Sequence, residues 1–113
     1  LVIAGDMAFH ERMLPIFEHT DTAAWLDTWD RFAALEAEVV VPGHGSPTNM
    51  AEVTKYTHDY VAYMRSEVEK ILEGEGDLND VYNIDQTAYA HLDTYEHLAK
   101  LNASTLYRVM EFE

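Results

Sequence analysis

The feature that most constrains the fold is a run of β-branched residues that ends in proline, glycine and histidine, from Val39 to Gly45. β-branched residues favour strands, and proline followed by glycine ends them, so the run predicts a short strand near 38–42. A strand that stops at a tight turn presents the next polar side chain at the edge of the sheet, where metal ligands and catalytic groups commonly lie. That side chain is His44, which we take as a candidate site residue.

A second apolar run opens the chain and ends in Gly5-Asp6, and it predicts a strand near 1–5. If the two strands are neighbours, the carboxylate of Asp6 and the imidazole of His44 come from adjacent strand ends. This pair of donors suits zinc, and also iron or manganese. The same residues occur in ordinary turns as well, where glycine supplies a positive φ and the polar side chain faces solvent.

Helices are predicted wherever apolar residues recur at spacings of three and four, with polar caps before them. These segments lie near 21–36, 49–73, 78–84 and 93–111. Residues 7–20 predict an irregular or partly helical connection. The fold class is therefore α+β and predominantly helical, with two short strands. With 113 residues, 48% of them hydrophobic, the chain can bury one core, and we expect a single domain over residues 1–113.

The charge balance narrows the range of partners. The chain has 21 acidic and 7 basic residues and a formal net charge of -14, which repels phosphate backbones and anionic lipid surfaces. No segment approaches the roughly 18 consecutive apolar residues of a membrane span. We therefore expect a soluble protein of either the cytoplasm or the periplasm, with neither nucleic acid nor a membrane as its partner. Because cysteine is absent, any metal must be held by histidine nitrogen and carboxylate oxygen.

The order of these features resembles the carboxy-terminal half of the metallo-β-lactamase-fold hydrolases. The features are the apolar strand with Gly5-Asp6, the helix around Trp25 to Leu35, and the β-branched run with Pro-Gly-His-Gly before a long helix. The closing sequence, from Leu101 to Glu111, is similar to the terminal helix of the sulfur-oxidation or quinoprotein-relay branch of that superfamily. The resemblance covers nearly the whole chain. It implies a partial domain, the carboxy-terminal part of an αββα sandwich.

The resemblance also implies roles for two residues. Asp6 would bridge two metal ions, most commonly zinc, and His44 would bind the second ion. In a complete relative such ions activate a shared water and polarise an ester, thioester, lactam or phosphoester bond of a small-molecule substrate. The other ligands of the family come from a His-x-His-x-Asp-His motif and a further histidine, and nothing in residues 1–113 matches them. We therefore expect no activity from this chain alone, and we assign it no catalytic or cofactor-binding residue beyond the two ligands.

Two hypotheses about the chain follow. Leu1 lies within an apolar run, and with the missing motif this predicts the carboxy-terminal portion of a longer or split hydrolase. The alternative is a stand-alone helical oligomerisation or interaction module that is derived from such a hydrolase and lacks catalysis. Either way we expect a missing amino-terminal half or a second copy of the chain to cover the apolar surface that the absent sheet would cover. That surface includes the stripe Trp25, Trp29, Phe32 and Leu35.

Several other residues have two interpretations. His10 could line the mouth of the predicted metal site together with Asp6. A histidine in a polar loop more commonly faces solvent or caps a helix, and we favour this second interpretation. Trp25 and Trp29 could form a substrate platform, but at a spacing of four they are favoured as core or interface. Asn102, with Tyr107, could reach the mouth of the site in a complete relative. The histidines that match no metal-binding spacing, and that we interpret as surface or packing residues, are His19, His58, His91 and His97.

Overall fold

The computed structural model describes the backbone of residues 1–113 and every side chain except that of His44. The elements in chain order are β1 (Val2–Phe9), α1 (Thr22–Ala33), β2 (Val40–His44), α2 (Met50–Val53), a π-helical turn (Thr54–His58), α3 (Asp59–Glu73), α4 (Leu78–Tyr82), a 3-10 turn (Thr87–Tyr89) and α5 (Tyr95–Met110). The predicted α+β and predominantly helical class is confirmed. None of the described helices is long and apolar enough to cross a bilayer.

β1 and β2 pair in parallel, and α1 connects them, so the first part of the chain is a β-α-β unit. The strand predicted to end near residue 5 continues to Phe9, because irregularities in the register on both sides of Gly5 interrupt the pairing without ending it. Gly5 has a φ of 58°, a value that glycine adopts without strain. The prediction for residues 7–20 is wrong in part, since this segment begins as strand and contains no helix. The predicted bounds of the second strand, near 38–42, are also wrong, because Pro42 and Gly43 lie within β2 instead of ending it.

The predicted helix over 49–73 is confirmed as three consecutive elements, α2, the π-helical turn and α3. Asn49 caps its start, where the side-chain Oδ1 accepts the N–H of Glu52 at 2.9 Å. A π-helical turn widens the helix by one residue and changes the direction in which its side chains point. As described below, this turn directs Thr57 to the end of β1.

The ends of three helices differ from the predicted bounds. α1 ends at Ala33 rather than near 36, and Glu36 just beyond it has a φ of 48°. α4 ends at Tyr82 rather than near 84. α5 begins later than predicted, because Thr94 has a φ of 67° and the backbone of Asp93 pairs with the segment that follows β1. Positive φ values at non-glycine residues are incompatible with a continuing helix.

Two buried clusters hold the elements together. The smaller cluster packs α1 against the sheet, and the larger one packs α3 and α5 against the segment that follows β1. Their most buried members are Trp29, Val40 and Val53 in the first cluster, and Met13, Leu14, Met64 and Leu106 in the second. Burial on this scale stabilises each helix far more than its intrinsic propensity does.

The aromatic stripe of α1 is largely covered by the chain itself. Trp29 and Phe32 are buried in the smaller cluster, and Trp25 is half-buried. Leu35 lies beyond the end of the helix, with 61% of its surface exposed. The cover that the sequence predicts for this stripe is therefore supplied within the chain at Trp29 and Phe32.

The face of the sheet that points away from α1 is apolar and exposed. Leu1 and Ile3 expose 81% and 76% of their surfaces, and Val39 exposes 40%. Alternate residues of a strand point to opposite faces, so Ile3 lies on the face opposite Val2 and the buried Val40 beside it. A contiguous apolar surface of this kind is typical of an interface. The predicted homo-oligomer or missing half stays a prediction, and this face is where either would bind.

Candidate functional site

The parallel pairing of the strands brings Gly5-Asp6 beside the turn at the end of β2. Gly5 lies opposite Pro42, and the Asp6 carboxylate lies so close to Gly43 that a side chain at Gly43 would overlap its Oδ1. The carbonyl oxygen of Gly5 also lies 2.9 Å from the position that a Cβ of Gly43 would occupy. Only glycine admits such an approach of two backbones and a carboxylate. The predicted proximity of Asp6 to the end of β2 is therefore confirmed, but Asp6 lies within β1, which continues to Phe9, and not at a strand end as predicted.

His44, the second predicted ligand, has its backbone in β2 opposite Phe9, and its side chain lies outside the part of the chain that the structure describes. Asp6 is exposed. Among the described side chains, no group of three or more histidine, aspartate or glutamate residues could hold a metal ion. The oxygen donors of Asp6 suit zinc, iron or manganese, but one described carboxylate does not complete a coordination sphere. The described side chains therefore offer a donor of the right type for a metal ion, but too few ligands to hold one.

His10 is buried against the turn that follows His44, so the interpretation of His10 as solvent-facing is wrong. Its Nε2 lies 2.7 Å from the carbonyl oxygen of Ser46 and donates to it when this nitrogen carries the proton. Gly45, which has a φ of 105°, passes so close that a Cβ there would lie 2.9 Å from the ring. The polar neighbours of His10 suggested a loop, but the continuation of β1 directs the ring to the turn.

Glu11 binds the same turn from the other side. Its Oε1 accepts the N–H of Ser46 at 2.8 Å, and this hydrogen bond is the main cause that lowers the pKa of the Glu11 carboxyl below its ordinary value. His10 Nε2 lies 3.3 Å from the same oxygen. Both polar groups of the Ser46 backbone are thus held by consecutive residues at the end of β1. The pair fixes the turn that carries His44.

Thr57 fixes the last residue of β1. Its hydroxyl accepts the N–H of Phe9 at 2.7 Å and donates to the carbonyl of Phe9 at 2.8 Å, and the side chain is fully buried. One side chain thus takes the place of a neighbouring strand. Phe9 lies opposite His44, so Thr57 holds the strand end beside the second candidate ligand. The sequence does not mark Thr57, because its role depends on the π-helical turn.

Asn102 fixes the segment that follows β1. Its Oδ1 accepts the N–H of Ile16 at 2.7 Å, and its Nδ2 donates to the carbonyl of Leu14 at 2.8 Å. The side chain has no exposed surface, so the interpretation that placed Asn102 at the mouth of the site is wrong. Tyr107 instead donates from its hydroxyl to the carbonyl of Gly76 at 3.3 Å. A polar residue in the apolar face of α5 was the available signal for a structural role.

A cleft of about 750 Å³ opens beside Asp6, between the end of β1, the following segment and α1. Its apolar walls include Met7, Phe9, Pro15, Phe17 and Trp25, and its charged or polar lining includes Asp6, Arg12, His19 and Asp21. The two tryptophans are predicted either to form a substrate platform or to belong to the core, and the structure gives each a different position. Trp25 lines the cleft, whereas Trp29 belongs to the core.

The remaining histidines lie in surface or packing positions. His58 Nδ1 lies 2.9 Å from the carboxylate of Asp59, and His91 Nε2 lies 3.1 Å from the hydroxyl of Tyr56. His97 is exposed. The predicted interpretation is confirmed for these three histidines and also for His19, which is exposed, stacks on Phe17 and lines the cleft.

No protein-family model matches this chain, and no curated protein matches it. The function must therefore be inferred from the geometry around Asp6 and from the chemistry of the residues that surround it.

Proposed function

We propose that this chain is the carboxy-terminal portion of a metal-dependent hydrolase of the metallo-β-lactamase fold. Asp6 and His44 would hold the metal ions, zinc by preference, with Asp6 as the ligand shared by two ions and His44 as a ligand of the second. The observation that supports the proposal is the contact between the Asp6 carboxylate and the backbone of Gly43, one residue before His44. Carboxylate oxygen and imidazole nitrogen are the donor types that suit zinc, iron and manganese.

Neighbouring residues of the chain hold Asp6 and the end of β2 in position before any metal ion binds. Gly43 admits the carboxylate of Asp6, and Thr57 fixes the strand opposite His44. His10 and Glu11 fix the turn that follows. Ligands that are held in place by neighbouring groups lose little conformational freedom when they bind a metal. When bound, a pair of metal ions supplies an activated water and polarises the bond to be hydrolysed.

The chain alone is inactive in this proposal. A catalytic zinc normally has three protein ligands and an open position, and residues 1–113 contain no His-x-His-x-Asp-His sequence. The other ligands belong to an amino-terminal half, in the same reading frame or on a separate chain. The substrate of the proposed metal site is a small molecule with an ester, thioester, lactam or phosphoester bond.

Titration of the 113-residue chain with zinc tests the ligand roles. We expect weak binding, in the micromolar range or weaker, because two ligands leave most of the coordination sphere to water. Calorimetry should show that Asp6→Ala and His44→Ala each abolish it. The matched controls are Asp27→Ala and His97→Ala, which remove an exposed carboxylate and an exposed imidazole elsewhere.

Two results would contradict the proposal. Zinc binding that is absent, or that survives both Asp6→Ala and His44→Ala, would exclude the ligand roles. Tight stoichiometric binding with hydrolysis by the chain alone would exclude a missing half. Joining the chain to an upstream segment that carries the His-x-His-x-Asp-His motif should raise the zinc content to two ions.

The second candidate function is an oligomerisation module without catalysis, and the exposed apolar face of the sheet favours it. Burying Leu1, Ile3 and Val39 against a second copy would remove a large apolar area from water. We expect light scattering to show a dimer or larger species that Ile3→Asp converts to a monomer. Leu101→Asp, at an exposed position of α5, should leave the assembly unchanged. A monomeric wild-type chain would contradict this candidate.

A further inference from the structure

We propose that the cleft beside Asp6 binds the aromatic ring of an uncharged small molecule. In the hydrolase proposed above, this ring belongs to the substrate, which is then an aromatic ester or thioester with its reactive bond next to Asp6. The substrate assignment rests on the proposed function. Binding of the ring rests on the cleft alone.

The inner wall of the cleft is a tryptophan that is held in one orientation. Trp25 donates from Nε1 to the carbonyl of Met7 at 3.0 Å, and its ring meets Phe9 edge to face, with 6.5 Å between centroids and 64° between planes. The indole is half-buried and lines the cleft. A fixed aromatic surface loses little entropy on binding, and it favours rings over flexible chains.

The outer wall is an exposed aromatic pair on a closed turn. Phe17 stacks on His19 with 5.4 Å between centroids and 3° between planes. The N–H of Phe17 donates to the hydroxyl of Thr20 at 3.0 Å, and the N–H of Thr20 donates to the carbonyl of Phe17 at 3.0 Å. Phe17 nevertheless exposes 52% of its surface. A ligand ring between Phe17 and Trp25 would cover that surface.

The volume and the charge of the cleft select the ligand class. A volume of about 750 Å³ lies within the usual range for small-molecule sites. Two carboxylates, Asp6 and Asp21, line it with one guanidinium, Arg12, and the whole chain carries a net charge of -14. This field disfavours anions, and the apolar walls disfavour strongly hydrated cations. An uncharged aromatic group is the ligand that suits both the negative charge and the apolar walls of the cleft.

Titration of the metal-free chain with benzyl alcohol tests the inference. The sequence has two tryptophans, so a proton–nitrogen correlation spectrum contains two indole signals, which Trp25→Phe assigns. We expect the signal of Trp25 to shift with a dissociation constant in the millimolar range. The signal of Trp29, which is buried in the core, should stay in place. Phenylacetate and benzylammonium, which carry the same ring with a charge, should both bind more weakly.

Variants separate the cleft from other apolar surfaces. Phe17→Ala should weaken benzyl alcohol binding by about five-fold or more, because it removes one of the two walls. Leu35→Ala, which removes an exposed apolar side chain outside the cleft, should leave it unchanged. The inference is overturned if the Trp25 signal does not move, if both indole signals move equally, or if phenylacetate or benzylammonium binds more tightly than benzyl alcohol. Zinc binding at Asp6 is measured separately, so either proposal can fail without the other.

Discussion

Asn102→Ala should lower the free energy of unfolding by about 3–5 kcal/mol. The substitution leaves the N–H of Ile16 and the carbonyl of Leu14 without their partner, in a region where Asn102 has no exposed surface. Each buried polar group left unsatisfied costs about 1–3 kcal/mol, and the lost side chain also leaves a cavity. Urea unfolding followed by circular dichroism measures the change.

The control for this prediction is Asn79→Ala, at an exposed position of α4, which should change the stability by less than about 0.5 kcal/mol. A loss below about 1 kcal/mol for Asn102→Ala would mean that water replaces the side chain. Because Pro15 lies between the two residues that Asn102 binds and lines the cleft, the same variant should also weaken benzyl alcohol binding.

Thr57→Val should lower the free energy of unfolding by about 2–4 kcal/mol. Valine keeps the shape of threonine but can neither donate to nor accept from the backbone of Phe9, whose N–H and carbonyl both bind the hydroxyl. We expect amide hydrogen exchange to show faster exchange at Phe9. The same experiment should show a less ordered turn around His44, which lies opposite Phe9.

Thr57→Ser is the matched variant, because serine keeps the hydroxyl and removes only a buried methyl group. It should cost about 1 kcal/mol and leave the exchange of Phe9 close to that of the wild type. If valine costs no more than serine, the two hydrogen bonds do not hold the strand end, and the role given to Thr57 is wrong.

The sequence predicts those parts of the fold that depend on local periodicity. The helix over 49–73 and the existence of a second strand follow from the spacing of apolar residues and from the β-branched run before Pro42. The end of that strand does not, because Pro42 and Gly43 lie within β2 instead of ending it. The continuation of β1 past Gly5 could not be predicted, because irregular pairing leaves no periodic signal. The π-helical turn could not be predicted either, because its residues suit an α-helix equally well.

The candidate site could be predicted only in part. The proximity of Asp6 to the end of β2 follows from the parallel pairing of two neighbouring strands, although Asp6 lies within β1 and not at its end. The cleft could not be predicted, because its wall near Pro15 is held by Asn102, a residue 86 positions from Ile16. The burial of His10 likewise depends on where β2 ends. Contacts between residues so far apart in sequence have no local pattern that would reveal them.

The edge of β1 that does not pair with β2 has few backbone groups left beyond Asp6 for a third strand. The carbonyl of Met7 is occupied by the indole of Trp25, and both backbone polar groups of Phe9 are occupied by the hydroxyl of Thr57. A strand added at this edge needs those same groups for its own ladder. It can therefore align only with the residues before Met7. A strand that pairs beyond Asp6, from this protein or from another chain, must therefore displace the side chain of Trp25 or that of Thr57.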